Sequence, residues 1–259
     1  PPRSTQGVSS AASDVYKRQL LVDGDIVAYK AATIAETPID WGDGLWTLHA
    51  HEKDVIGAME EFMSKIIEQS MCNKVITCLS GDKLYRKDVA PYYKKNRAGT
   101  RKPMLLNFAK KYLADNYNGK VEDKLEADDL LGILGSADNT TVIWSADKDL
   151  LTIPAYHLID GKVVEILEDE ADYHFLYQTL VGDATDNYKG CPTVGDKKAN
   201  KLLEENGATW KTVVDAYAKQ NLSELVAIEN ARLARILRNG EYNFDTKEVK
   251  SVSYTHLTL

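Results

Sequence analysis

Carboxylates dominate the residues of this sequence that could do chemistry. Asp23 closes the run QLLVDGD, Asp82 closes KVITCLSGD, and Asp147 and Asp149 close TTVIWSADKD. Glu126, Asp128 and Asp129 crowd into EADDLL, and Asp183 and Asp186 fall in GDATDN. Any one of these acids has a bland reading as a helix cap, a turn residue or part of a solvated face. The set has another. Like charges 4 Å apart repel by roughly 4 kcal/mol at an effective dielectric near 20, so carboxylates gathered in one cleft need cations. Oxygen donors with few His or Cys partners suit hard ions, Mg²⁺ or Mn²⁺. His49, His51, His157 and His174 make no ligand spacing with Cys72, Cys78 and Cys191, which points away from zinc. The twelve-residue calcium loop of an EF-hand is absent. Two Mg²⁺ ions on shared carboxylates can activate water and stabilise the leaving oxygen of a phosphodiester.

The acids lie far apart in sequence, so a fold must bring them together. The three runs ending in Asp23, Asp82 and Asp147 are short, aliphatic and β-branched, and read as buried strands. Between the first two lies KDVIGAMEEFMSKIIEQS, whose Val55, Ile56, Met59, Phe62, Met63, Ile66 and Ile67 recur at helical spacing. Strands alternating with helices predict an α/β fold with a mainly parallel sheet flanked by helices. In such sheets the strand C-termini share one edge, where ligands bind. EADDLLGILG joins that edge as a helix start: Ala127, Leu130, Leu131 and Leu134 make one apolar stripe, and the acids sit in the first turn, where the helix dipole favours negative charge.

Two further segments differ in texture. From Lys83 to Lys111 ten cations meet one acid, Asp88, with Tyr85, Tyr92 and Tyr93 interleaved. This is either a solvated surface or a footprint for phosphate and base stacking. GCPTVGDKKANKLL is either a plain turn between helices or a hairpin offering backbone N–H groups to DNA phosphates, supported by Lys197, Lys198 and Lys201. Gly190 and Gly195 have the spacing of a phosphate-binding P-loop, but no strand precedes them and the Lys-Ser/Thr pair is missing. LSGDK is not a G-x-S-x-G nucleophile elbow.

The chain has 259 residues and a formal charge of −7. Residues 1–19 and 251–259 lack periodicity and read as adapter sequence, so fold reasoning is confined to 20–250. The first of these pieces carries three cations and one acid, which leaves the remainder at −9. That balance disfavours a protein that merely coats nucleic acid, but it allows a metal-holding cleft. The expected layout is an α/β domain over 20–155, with a basic arch-like segment at 83–111, and a helical region over 156–250. No apolar run reaches membrane-spanning length, and three cysteines without a C-x-x-C suit a reducing compartment.

In order along the chain, VDGD, EADD, S-x-DKDL, GDxxDN and G-x-x-x-x-G-x-K-x-A resemble the 5′-nuclease superfamily of flap endonucleases, polymerase 5′-nuclease domains and phage 5′→3′ exonucleases. PYYKKNR resembles that family's helical-arch motif, and ARILRNGEYNF the C-terminal part of exonucleases from short-tailed lytic phages. The resemblance implies a PIN-like nuclease fold followed by a helix–three-turn–helix that grips duplex DNA, often with K⁺. It implies a two-metal site of Asp23, Asp82, Glu126, Asp128, Asp129, Asp147, Asp149, Asp183 and Asp186. Lys94 and Arg97 would be catalytic at the scissile phosphate. Lys83, Arg86, Tyr93, Lys95, Gly190, Gly195, Lys197, Lys198 and Lys201 would contact DNA, Tyr93 by stacking on a base. The implied activity is 5′→3′ DNA hydrolysis, with flap or RNase H-like variants, on duplex ends, 5′ flaps or RNA–DNA hybrids. The implied setting is phage DNA replication or host DNA degradation, by a monomer in the cytoplasm of an infected bacterium. A non-catalytic structure-specific DNA-binding protein and a PIN-type ribonuclease are the alternatives.

Overall fold

The computed structural model describes residues 18–250. Of the terminal segments read as adapter sequence, residues 1–17 and 251–259 lie outside that range, whereas Gln19 belongs to the sheet: it opens β1 (Gln19–Asp23) and pairs with Lys74 and Thr141. A β ladder uses backbone groups, so composition alone could not exclude Gln19 from it.

Six strands form the central sheet: β1, β4 (Lys74–Leu84), β5 (Gly119–Lys124), β6 (Thr141–Trp144), β7 (Ala155–Ile159) and β8 (Lys162–Ile166), in the order β5-β4-β1-β6-β7-β8. All neighbours are parallel except β7 and β8, so the expected mainly parallel α/β sheet is present. A small hairpin of β2 (Thr37–Asp40) and β3 (Trp46–His49) sits apart from it.

Strand alternation divides the core. Leu20 and Val22 face one side with α1 (Gly24–Ile34), α2 (Glu52–Ser70) and α4 (Leu106–Asn116), packing on Val27, Ala31, Met59, Met63 and Leu113. Leu21 faces the other side with Cys78, Ile143 and α5 (Ala127–Gly135). That side is closed by Ile236, Leu237 and Tyr242, and a two-residue pairing of β9 (Tyr242–Asn243) with β10 (Glu248–Val249) ends the described chain. A helical layer of α6 (Glu168–Val181), α7 (Asp196–Asn206), α8 (Trp210–Ala218) and α9 (Glu224–Ala234) has its own core around Leu180, Leu203, Val213, Tyr217 and Ala231.

The helical region does not begin at residue 156, as composition suggested. The β7–β8 hairpin continues the sheet to Ile166; Pro154 sits in the link before β7, where its lack of an N–H costs no ladder bond. The basic segment is not a free arch either. It holds the four-residue α3 (Arg86–Val89) and a 3₁₀ turn at Lys95–Arg97, and it lies against the loop after α6. There Lys94 N–H donates to the Asp186 carbonyl at 2.9 Å, Asn96 donates to the Ala184 carbonyl at 2.9 Å, and Asn187 donates to the Tyr92 carbonyl at 2.7 Å.

Candidate active site

A cleft of about 560 Å³ opens at the C-terminal edge of β1 and β6, between α5 and the helical layer. Each acid reaches it by a different device. Asp23 ends β1 and caps α1, accepting from Ile26 N–H at 3.1 Å and from the Ser145 hydroxyl at 2.8 Å. Ser145 in turn accepts from Asp147 N–H at 3.0 Å, so the Ser of S-x-DKD ties two acids together. Asp147 caps the 3₁₀ turn Lys148–Thr152 by accepting from Asp149 N–H at 2.9 Å. Gln178 of α6 donates to Asp149 at 3.1 Å.

Asp183 and Asp186 come from the loop after α6. Gly182 and Gly190 hold that loop shut back to back at φ 74° and 63°. A Cβ on either would stand 2.4 Å from the other's backbone nitrogen, so only glycine fits. Gly190 is therefore a buried packing residue and not a DNA contact.

EADD divides its labour. Asp128 lines the cleft. Asp129 does not: it is fully buried, with both carboxylate oxygens taken by Arg86 at 2.7 and 2.8 Å and further bonds from Glu126 N–H and Leu237 N–H. Its saturated oxygens leave no lone-pair direction for a metal, which corrects its assignment as a ligand. Glu126 is 5 % exposed and is shared among Arg86 at 2.7 Å, Tyr93 at 3.0 Å and Lys94.

Asp82 is a second correction. It is exposed and does not line the cleft. Between Ser80 and Leu84 the β4 strand takes four steps against two along β5, a bulge that turns Asp82 and the exposed Lys83 outward. Ser80 lines the cleft in its place, together with Asp25, the second acid of VDGD. Asp25 receives Lys110 at 2.8 Å. Asp25, Ser145 and Gln178 went unassigned from sequence, although VDGD and S-x-DKD contain the first two.

The cations also separate. Lys94 pairs with Glu126 and lies 3.4 Å from Asp186, and Arg97 reaches Asp186 at 2.5 Å. Both line the cleft. Arg86, expected at DNA, is 2 % exposed and spends its guanidinium on Glu126, Asp129 and the carbonyls of Leu233 and Arg235. Tyr93, expected to stack on a base, is 3 % exposed, and its hydroxyl donates to Asp186 at 2.6 Å. A ring packed in the helical core has no free face for stacking. Lys95 is exposed beside the cleft residues, and Gly195, Lys197, Lys198 and Lys201 are exposed at the start of α7. Lys198 bonds the Thr193 carbonyl at 3.3 Å, and Lys201 lies 3.7 Å from Glu205.

Electrostatics follow from this arrangement. Burial, then the neighbouring Asp25 and Asp147, push Asp23 up to about 6. Burial, then Asp147, Asp183 and Asp186, push Asp149 up to about 7. Burial, with Asp23, Glu126 and Asp147 nearby, holds Asp128 well above the usual carboxylate range. Burial also opposes ionisation of Glu126, but Arg86 and Lys94 outweigh it and hold this carboxyl low. The protein's own cations thus serve Glu126, Asp129 and Asp186, while Asp23, Asp128 and Asp149 are left short of positive charge. That imbalance, in an all-oxygen donor set, fits divalent cations. Among the described residues no three His, Cys, Asp or Glu groups converge as a single-ion cage. A wider acidic rim suits ions that keep several waters and bridge to phosphate oxygens.

The family model for the 5′-3′ exonuclease, N-terminal resolvase-like domain matches residues 18–180. The exodeoxyribonuclease of Enterobacteria phage T3 is 26% identical over 89% of this chain and 91% of its own length. The exonuclease of Escherichia phage T7 matches at the same identity and coverage. DNA polymerase I of Lactococcus lactis is 28% identical over 74% of this chain, but over only 24% of its own length. Two solved structures share the fold. One is the bacteriophage T5 flap endonuclease in a pseudo-enzyme–product complex with DNA and metal ions, at TM-score 0.63 and 15% identity over 84% of this chain and 88% of that one. The other is the T5 5′-exonuclease with bound divalent zinc, at TM-score 0.59 and 16% identity over 84% and 89%. The model match spans the sheet, the basic segment and nearly all of α6, which carry every cleft acid except Asp183 and Asp186, and with it the chain belongs to the 5′-3′ exonuclease family.

Proposed function

We propose that this 5′-3′ exonuclease hydrolyses DNA phosphodiesters from 5′ ends with two divalent ions, Mg²⁺ or Mn²⁺, and that 5′ flaps and RNA–DNA hybrids are further substrates. The observation that carries the reading is the pairing of cation-poor Asp23, Asp128 and Asp149 with Lys94 and Arg97 in one cleft. Asp23, Asp128, Asp147, Asp149 and Asp183 would hold the ions, with Asp25, Glu126 and Asp186, each already met by a cation of the protein, at the margin. Bound by these acids, the ions would supply an activated water and stabilisation of the leaving oxygen.

The chain's own residues do the rest. Lys94 and Arg97 are side by side on the rim and offer charge-assisted donors to the scissile phosphate. Ser145 and Gln178 hold Asp23 and Asp149 in place. Arg86 keeps Glu126 and Asp129 fixed from beneath. Exposed Lys197, Lys198 and Lys201 provide a backbone-binding surface for duplex, where K⁺ would be an additional cation. The setting that fits phage relatives is DNA turnover in a bacterial host. Among the described residues no helix is long and apolar enough to cross a membrane.

The test is cleavage of 5′-labelled duplex in Mg²⁺ by Asp147→Ala and Asp183→Ala. Both should lose Mg²⁺-dependent release of 5′ product while keeping the wild-type fold. Unchanged cleavage by the two variants would remove the acidic cleft from the reaction.

A further inference from the structure

A second groove, of about 860 Å³, is lined by Val27 and Lys30 of α1 and by Phe62 and Lys65 of α2. It runs between α1, α2 and the ends of β6 and β7, and Ala146, Asp147 and Lys148 line both it and the catalytic cleft, so the two are neighbours. Its size falls within the range of small-ligand sites, about 300–1,000 Å³. Trp144 and Phe62 stand half-buried in its wall, and the Trp144 indole N–H has no hydrogen-bond partner among the described residues. Lys30, Lys65 and Lys148 are exposed around it, and among the described residues none of the three is paired with an acid. Asp147 and Asp160 are the only acids in its lining.

An aromatic wall with a free N–H, three uncommitted ammonium groups and a border shared with the catalytic cleft make one chemical demand. The occupant needs a flat, hydrogen-bonding ring and an anionic group joined to it. We propose that this groove binds a nucleoside 5′-phosphate, its base against Trp144 and its phosphate among Lys30, Lys65 and Lys148. The inference rests on the nuclease reading of the neighbouring cleft, which would both bring 5′ ends there and generate mononucleotides beside it. The same chemistry has two sources, the 5′-terminal nucleotide of a bound strand and the released mononucleotide.

Two measurements separate those sources. In the first, Trp fluorescence of the full chain in EDTA is titrated with thymidine 5′-monophosphate, thymidine and inorganic phosphate. Quenching by the monophosphate should exceed that by thymidine, disappear in Trp144→Phe and weaken in Lys65→Glu. In the second, Mg²⁺-dependent cleavage is compared on duplexes with a 5′-phosphate and a 5′-hydroxyl. Wild type should favour the phosphate through KM. Lys65→Glu should abolish that preference with kcat intact, and Trp144→Leu should raise KM about tenfold on both, the scale of a lost base–aromatic stack. Lys65 is on the surface of α2, so its variant tests the groove even if Trp144→Leu fails to fold. Nucleotide quenching sensitive to Lys65→Glu, or a Lys65-dependent phosphate preference, supports the groove as a site for the free nucleotide or the strand end respectively. Normal Mg²⁺-dependent cleavage with neither effect overturns this inference and leaves the cleft's function standing. Loss of wild-type cleavage altogether would instead refute the nuclease reading.

Discussion

Arg86→Lys separates two roles for the basic segment. The Arg86 guanidinium has five N–H donors, and the structure uses five bonds: Nε to the Leu233 carbonyl at 3.1 Å, Nη1 to Glu126 and Asp129 at 2.7 Å each, and Nη2 to Asp129 at 2.8 Å and the Arg235 carbonyl at 2.5 Å. Lysine keeps the charge but brings three donors, so at least two of the five bonds are lost. Each buried bond lost from a charged donor costs about 1–3 kcal/mol, which gives a destabilisation of roughly 2–6 kcal/mol. For a domain of this size each kcal/mol lowers Tm by about 2–4 °C, so the expected drop is roughly 4–24 °C. Thermal and urea unfolding of Arg86→Lys beside wild type measures it. Arg86→Met should cost at least as much, because it leaves Asp129 as an uncompensated buried charge. The double variant Arg86→Met/Asp129→Leu should recover part of the loss by removing that charge. If Arg86 contacted DNA phosphate, Arg86→Lys would instead leave stability untouched. A change below about 0.5 kcal/mol, the size of ordinary surface substitutions, would refute the buried five-bond assignment.

Other outcomes follow from the same cleft. Lys94→Ala should lower kcat by about 10²–10³, the effect of losing one preorganised donor, with a smaller change in KM; steady-state rates on 5′-labelled duplex check it. Asp82→Asn should leave those rates unchanged because Asp82 is exposed outside the cleft, whereas Asp25→Asn should reduce them and raise the Mg²⁺ concentration needed for half-maximal rate. Gly182→Ala should destabilise by more than ~1 kcal/mol, since φ there is 74° and its Cβ would meet the Gly190 nitrogen at 2.4 Å; urea unfolding measures it. The pH dependence has a definite sign. Asp149 at about 7 and Asp23 at about 6 lie above the unfolded carboxylate value, so the metal-free fold loses stability as pH rises from about 4 through 7. Mg²⁺ binds the deprotonated acids, so the Tm increase it confers should be larger at pH 8 than at pH 5.5. An equal increase at both would count against these acids as ligands.

Much of this arrangement was readable from residue patterns, and the failures have physical causes. Strand runs with terminal acids located the edge at Asp23 and Asp147, because parallel strands share their C-terminal side. The same rule misplaced Asp82. Gly81 sits in a bulge where a Cβ would meet the Glu122 carbonyl oxygen at 2.4 Å, and an interrupted ladder no longer obeys period two. Strand β5 carries Lys120, Glu122, Asp123 and Lys124 at the sheet edge, so it lacks the apolar run that marks a buried strand. The hairpin β2–β3 is largely exposed and gives no core signal.

Adjacent acids posed a harder problem, since successive helix residues point about 100° apart. Asp128 and Asp129 therefore cannot serve the same place, and composition does not say which one faces the cleft. The answer depends on Arg86, forty-three residues away from Asp129 and itself drawn from a segment that reads as a DNA-binding surface. The ten cations of that segment divide by depth. Arg86 goes beneath the site to neutralise Asp129 and share Glu126, Lys94 and Arg97 stop at its rim, and Lys95 stays in solvent. Among the acids left over after that division, Asp23, Asp128 and Asp149 have raised proton affinity. Charge pairing within the fold thus decides which carboxylates support structure and which stay available to a cation, and neither set can be assigned from acid spacing without the positions of the cations.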